Sequence, residues 1–168
     1  MKNSESPKNS IKVRRSAYKT MMGYAEDHPK KEVLGIFFGT IEKNHTVVVE
    51  KSYPFRVGGS KEVDFLDEDY VRAVPLIREN EGKGLRWLGW FHSHPFTRGD
   101  HIYMSNKDVR HQKPAQSQNP YWTAIVINPY QINDPATKKG MRAYRLKEKR
   151  RGRGLSSKVL SLDVKIID

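Results

Sequence analysis

Apolar positions along this chain switch between a helical and an alternating spacing. Between residues 11 and 27, Ile11, Val13, Ala17, Met21, Met22 and Ala25 recur at mixed three- and four-residue steps, which predicts an amphipathic helix ended by Pro29. The run 33–38 (VLGIFF), closed by Gly39, predicts a buried strand. Residues 46–57 are rich in β-formers and predict a second strand with Pro54 near its end. Gly58-Gly59-Ser60 reads as a turn or flexible insertion. Residues 66–79 predict a second helix with Pro75 as a kink point. Residues 85–92 (LRWLGWFH) predict a third strand, and a third helix starts at Ser105 and runs to residue 115. Residues 121–127 (YWTAIVI) and 141–146 (MRAYRL) predict two more strands. After a linker at 150–154 (RRGRG), Leu160, Leu162, Val164 and Ile166 alternate with Ser161, Asp163, Lys165 and Ile167, the mark of a late strand. There is no internal repeat. Interleaved helices and strands predict an α/β (mixed α+β) domain, a central mixed β-sheet flanked by helices.

The third strand ends in His92-Ser93-His94-Pro95. Residues two apart on a strand point to the same face, so both imidazoles can aim at one point. Pro95 stops the strand, because it cannot donate to a ladder. Downstream, Ser105-Asn106-Lys107-Asp108 has the Ser-x-x-acid form of a capping box, with Ser105 as N-cap and Asp108 in the first turn. The helix N-terminus favours the ionised carboxylate there. Alone, His-x-His is a common surface coincidence and Ser-x-x-Asp an ordinary cap. Together, at the end of an apolar strand and the start of the next helix, they make His92, His94 and Asp108 three candidate ligands for one divalent metal. Three protein ligands leave a fourth position open, as a catalytic zinc site requires.

Glu32 stands at the lip of the first apolar strand. If that strand neighbours the third, its carboxylate can take a proton from an attacking water and return it to a leaving amine. The Ser105 hydroxyl could then donate to the oxyanion of a tetrahedral intermediate.

Composition narrows the chemistry. The chain has 168 residues and no Cys, so disulfides, Cys-based zinc sites and thiol nucleophiles are excluded. No apolar run approaches the ~18 residues of a membrane span, and the polar N-terminus lacks a signal-peptide core. These features predict a cytoplasmic protein without a membrane partner. The net charge is +12, of which residues 1–20 carry +5 and residues 138–154 carry +8, leaving −1 for the rest. A basic excess confined to the ends suits solubilising tails better than sequence-reading, so nucleic acid is not the expected partner.

Glu32 with 33–39 (VLGIFFG), the run 88–92 (LGWFH) into Ser93-His94-Pro95, Ser105-x-x-Asp108 and 124–129 (AIVINP) together resemble the JAMM/MPN+ metalloprotease family. Within it, they are similar to the branch of the proteasome-lid deubiquitinase and its archaeal homologues. The resemblance covers residues 11–146. It implies the MPN/JAMM (cytidine-deaminase-like) fold and one catalytic Zn2+ held by His92, His94 and Asp108. It also implies Glu32 as general base and acid and Ser105 as oxyanion donor. The implied reaction is hydrolysis of the isopeptide bond between the C-terminus of ubiquitin or a ubiquitin-like protein and a lysine, with the proteasome as a further partner. The implied division is a basic N-terminus over 1–10, a catalytic domain over 11–147, and a basic linker with a C-terminal strand or tail over 148–168. The family binds its substrate tail beside an insertion after the second strand; Val57, Gly58 and Gly59 occupy that place here.

One departure is visible. The family commonly has seven residues between the second His and the Ser, whereas ten intervene here, 95–104. Forcing seven would put Ile102 and Ser105 in the Ser and Asp places and destroy the site. The spacing therefore implies an insertion of about three residues within 96–103. Asp100 and His101 then lie near the metal, expected as solvent-facing loop residues, with an alternative ligand or a partner supporting the ligands as the other reading. Competing readings are a non-catalytic MPN scaffold, a basic nucleic-acid-associated relative, and a two-His-one-carboxylate iron site.

Overall fold

Ile11 and Val13 begin the fold as a strand, not as the first turn of the predicted helix. In the computed structural model, which describes residues 6–59, 64–95, 102–150 and 154–168, β1 is Ser10–Arg14 and α1 is Arg15–Asp27. The correction has a plain cause. Ile11 and Val13 are two residues apart, so they share one face of a strand, and both are buried between two parallel neighbours. The three- and four-residue steps that make α1 amphipathic begin only at Ala17.

The remaining elements follow the predicted order. They are β2 (Val33–Ile41), β3 (Val47–Val57), α2 (Asp67–Glu81), β4 (Arg86–Ser93), α3 (Asn106–Gln118), β5 (Thr123–Ile127), β6 (Met141–Glu148) and β7 (Leu155–Ile167). A 3-10 turn at Pro129–Gln131 links β5 to β6. Pro75 lies inside α2, which continues past it to Glu81. No described helix is long and apolar enough to cross a membrane.

The strands run β1-β3-β2-β4-β5-β6-β7, and β7 returns to pair with β1, so the sheet closes on itself. Pairing is mixed: β1 with β3, β1 with β7 and β4 with β5 are parallel, and the other four pairs are antiparallel. Closure removes both sheet edges. The sequence predicts the mixed sheet and its helices but not this closure, because a seam between β1 and β7 is a pairing of the two ends of the chain.

Both faces of the sheet are covered. Val13, Val49, Phe91, Ile125, Ile127 and Met141 pack with Ala17, Met21 and Met22 of α1. On the other face, Leu34, Trp90, Val126 and Tyr144 pack with Val109 of α3, and Ile36 and Phe38 pack with Ala73 of α2. Burial on both faces is why residues 33–38 read as an unbroken apolar run rather than an alternating one. Register pairs Gly35 with Phe91 and Phe37 with Gly89. Each Phe ring lies over the opposite glycine, and a Cβ at either glycine would overlap that ring. Phe91 is fully buried, so Phe91→Ala costs about 3–5 kcal/mol. This packing fixes β2 against β4 at the end where β4 carries its histidines.

Candidate metal centre

His92 and His94 occur where β4 reaches its C-terminal end, and Asp108 occurs in the first turn of α3. All three are buried, and one ligand atom from each lies within 4.8 Å of the others. Strand alternation turns the two imidazoles to the face that α3 covers. The ladder to β5 holds this end of β4, with His94 N–H donating to Ile127 O at 2.9 Å. Asp108 is aimed by a reciprocal cap. Ser105 N–H donates to Asp108 Oδ2 at 2.9 Å, and Asp108 N–H donates to Ser105 Oγ at 3.1 Å.

The polar inventory fits a metal. Asp108 Oδ2 lies 2.9 Å from His92 Nε2 and 3.3 Å from His94 Nε2. Yet among the described residues neither buried ring nitrogen of His92 has a well-aligned hydrogen-bond partner, the Asp108 carboxylate approaching without that alignment. Close ligand atoms that are not bonded to each other are what a shared cation leaves. Tetrahedral zinc with N and O ligands near 2.0–2.2 Å sets them about 3.3 Å apart. Charge agrees as well. Burial pushes the His92 imidazole below its ordinary pKa, overriding the nearby Asp108 carboxylate, and a neutral imidazole is the ligating form. Burial works against ionising Asp108, but the His92 and His94 imidazoles and the Ser105 N–H overcome it and hold the carboxyl far below the usual range. A neutral His92 imidazole and an ionised Asp108 carboxylate, with His94 beside them, suit a divalent zinc ion.

Glu32 is buried just before β2. The β2–β4 register pairs Leu34 with His92, and Glu32 stands two residues before Leu34 at that end of the sheet. Its backbone is fixed on the other side by the segment after β3: Glu32 N–H donates to Gly59 O at 3.0 Å, and Gly58 N–H donates to Glu32 O at 2.8 Å. Val57, the last residue of β3, pairs with Val33. Val57, Gly58 and Gly59 thus form the strand end beside Glu32. Ser105 is half-buried, and its Oγ accepts from Asp108 N–H, which leaves its own proton to donate.

Ile102 is completely buried, with Tyr144 donating its hydroxyl to Ile102 O. The seven-residue spacing would have put this core residue in the Ser place, so the ten-residue spacing is the one that delivers Asp108 to the histidines. Asp100 and His101 lie outside the described residues.

Residue-by-residue reading missed the support around His92. Trp90 stacks on its ring with centroids 4.6 Å apart and planes 10° apart, and donates from Nε1 to Gln112 Oε1 at 2.8 Å. The i, i+2 spacing of Trp90 and His92 on the strand is the signal that could have found it. His111, which carried no argument in the sequence, lies with Nε2 2.7 Å from Asp64 Oδ1. Trp90 and His111 also line a pocket of about 200 Å³ with Phe65, Tyr70 and Trp122. A larger cavity, about 570 Å³, is lined by Asn9, Gln116, Arg145 and Leu160 among others and holds none of the predicted site residues.

The basic C-terminal segment also needs one correction. Arg145 is 3% exposed, bonded to Thr123 Oγ1 at 3.0 Å and Lys8 O at 2.9 Å, and so belongs to the interior rather than to a solvated tail. Its guanidinium is pushed down to about 10 by burial.

Buried His, His and Asp at the junction of a strand and a helix, on a mixed sheet covered by helices, define an α+β protein with a built metal-ligand cluster. Residues 6–121 match the family described as JAB1/Mov34/MPN/PAD-1 ubiquitin protease, and the chain belongs to that family. It is 32% identical over 123 residues to COP9 signalosome complex subunit 5 of Dictyostelium discoideum, covering 71% of this chain and 36% of that protein. It is 25% identical over 125 residues to Ubiquitin carboxyl-terminal hydrolase RPN11 of Saccharomyces cerevisiae, covering 74% and 40%. The chain thus spans well under half the length of these relatives. The solution structure of a Desulfitobacterium hafniense protein shares the fold, with a TM-score of 0.62 at 21% identity over 94% of this chain and 93% of that one.

Proposed function

We propose that this chain is a zinc-dependent isopeptidase that cleaves between the C-terminus of ubiquitin or a ubiquitin-like protein and a substrate lysine. The observation that carries the reading is the buried cluster of His92, His94 and Asp108, in which the His92 ring is held low in basicity, lacks a well-aligned hydrogen-bond partner among the described residues, and lies 2.9 Å from the Asp108 carboxylate. Family membership supports the hydrolytic reading over an iron site, and the complete ligand set supports an enzyme over a scaffold.

His92, His94 and Asp108 would hold the zinc, which when bound supplies a Lewis acid that acidifies water and polarises the scissile carbonyl. Glu32, at the end of β2 that pairs with His92 through Leu34, accepts the proton of the attacking water. It then delivers that proton to the departing lysine amine. The Ser105 hydroxyl donates to the oxygen that gains charge. Val57, Gly58 and Gly59 present backbone for an extended substrate tail to lie against, and a tail of small residues fits the closest approach. Relatives that are subunits of the COP9 signalosome and the 26S proteasome support a place for this chain beside larger partners. The proteasome is the partner we propose, within the cytoplasm.

The test is incubation with ubiquitin-like conjugates of several linkages, with and without chelator, alongside metal analysis. About one zinc per chain and chelator-sensitive cleavage are expected. Glu32→Gln keeps the zinc and loses cleavage by about 100-fold or more. Full activity in that variant, or a purified chain without zinc that never saw chelator, overturns the mechanism.

A further inference from the structure

Ser93 stands between the two histidines and has so far had no role. It is 1% exposed, and strand alternation turns it to the face of β4 opposite His92 and His94. Its Oγ accepts from Val33 N–H at 2.9 Å, and its proton points to Lys31 O at 3.4 Å. Those groups belong to the two peptide units on either side of Glu32. The Glu32 φ and ψ are the rotations that relate those two units. One hydroxyl therefore restrains both dihedrals that set where the Glu32 side chain points. The shorter bond, from Val33, carries most of that restraint.

The placement matters because of what else Ser93 is joined to. It is one residue from each histidine on the same strand, and that strand is pinned to β5 through His94 N–H. Gly58 and Gly59 fix the Glu32 backbone from the other side, but they belong to the chain beyond β3 and carry no ligand. Ser93 ties the Glu32 backbone to the ligand-bearing strand itself.

We propose that Ser93 is a positioning residue that fixes the Glu32 carboxylate relative to the metal held by His92 and His94. The role rests on the reading of Glu32 as proton carrier. Ser93 touches neither substrate nor metal, so its removal acts on the chemical step through Glu32. A misplacement of about 1 Å of a catalytic group costs up to roughly 100-fold.

The experiment compares Ser93→Ala, Ser93→Thr, Glu32→Gln and the double variant in the full chain loaded with zinc, together with a crystal structure of Ser93→Ala. Ser93→Ala keeps one zinc per chain and its KM, while kcat falls about 10- to 100-fold. Ser93→Thr retains the hydroxyl and recovers kcat to within about threefold. The double variant is no slower than Glu32→Gln, because Ser93 has nothing left to position. In the crystal structure the Glu32 carboxylate shifts or splits between conformers. Loss of zinc from Ser93→Ala, an additive double variant, or a Glu32 carboxylate that stays in place overturns the proposal. If Ser93→Ala does not fold, Ser93→Thr and Ser93→Cys decide: full kcat in the cysteine variant, whose thiol is a weak hydrogen-bond partner, overturns it. A wild-type chain that cleaves no conjugate sinks the isopeptidase reading instead, and the position of Glu32 in the Ser93→Ala crystal then decides the role of Ser93 alone.

Discussion

The N-termini of α2 and α3 are built from the same device. In each, an aspartate in the first turn reaches back to the residue before the helix: Asp69 Oδ2 accepts from Leu66 N–H at 2.9 Å, and Asp108 Oδ2 accepts from Ser105 N–H at 2.9 Å. Both aspartates are buried. What faces them differs. Asp69 meets two guanidiniums, Arg56 at 2.8 Å and Arg72, so its charge is neutralised within the protein. Asp108 meets two imidazoles, and among the described residues no Arg or Lys pairs with it. The cap is the same local physics in both places. The partners decide whether the carboxylate is a finished structural pair or an open ligand.

Asp108→Asn is the largest expected effect. Zinc binding is lost, and cleavage falls by more than about 100-fold, the upper end of what losing a mere supporting residue does. The metal-free fold loses stability too, because the His92 and His94 imidazoles and the Ser105 N–H favour the Asp108 carboxylate. Metal analysis and denaturant unfolding in chelator measure the two halves. Zinc retained by this variant would erase the contrast between the helices.

Asp69→Asn does the reverse. It removes the carboxylate that Arg56 and Arg72 share, leaving Arg56 with Glu68 at 2.6 Å and Arg72 with Phe55 O at 2.6 Å, and costs about 2 kcal/mol, between the value of an exposed pair and that of a fully buried one. Zinc content is unchanged. Zinc lost alongside stability would mean that the α2 cap reaches the metal centre after all.

The same pair gives a pH signature. Burial raises the Asp69 pKa, but Arg56, the Leu66 N–H and Arg72 overcome it and bring it down to about 2. The unfolded value is about 3.9. A depressed folded pKa means the stabilisation is complete above the unfolded value and is lost as pH falls towards the folded one. The gap in unfolding free energy between wild type and Asp69→Asn is therefore full at pH 6 and closes between about pH 3.9 and 2. A gap that stays constant to pH 2 would remove the ion pairs as its cause.

Legibility followed the range of the interactions. Ser105-x-x-Asp108 could be read because a capping box is local in sequence, and His92-x-His94 because strand alternation is. The Leu66–Asp69 cap could not, since leucine at the N-cap carries no signal and the Arg56 that holds Asp69 comes from β3. Ile11 and Val13 were read into the helix because their true partners, Val47, Val49, Val164 and Ile166, are remote in the chain. Arg145 was read as part of a basic tail for the same reason: Thr123 and Lys8, which hold it inside, are brought there by sheet closure. Ser93 was visible as a motif letter, but its bond to Val33 depends on the β2–β4 register, which no local pattern encodes.

The smallest expected effect exchanges one helix start for the other. Leu66 already has the extended backbone of an N-cap, φ −103° and ψ 161°, and its side chain is well exposed. Leu66→Ser would give α2 the hydroxyl that α3 has, free to accept from Asp69 N–H. The gain is about 0.5 kcal/mol, below the typical ~1 kcal/mol of an N-cap, because Asp69 N–H already donates to Leu66 O at 2.9 Å and the new bond replaces an existing one. Ser105→Ala, which removes the hydroxyl from a start that depends on it, costs about 1 kcal/mol in the metal-free protein. Thermal melts of both variants in chelator measure the two. A gain at Leu66→Ser as large as the loss at Ser105→Ala would show the backbone bond at α2 to be worthless, and the two helix starts would then differ only in the cations and imidazoles that face them.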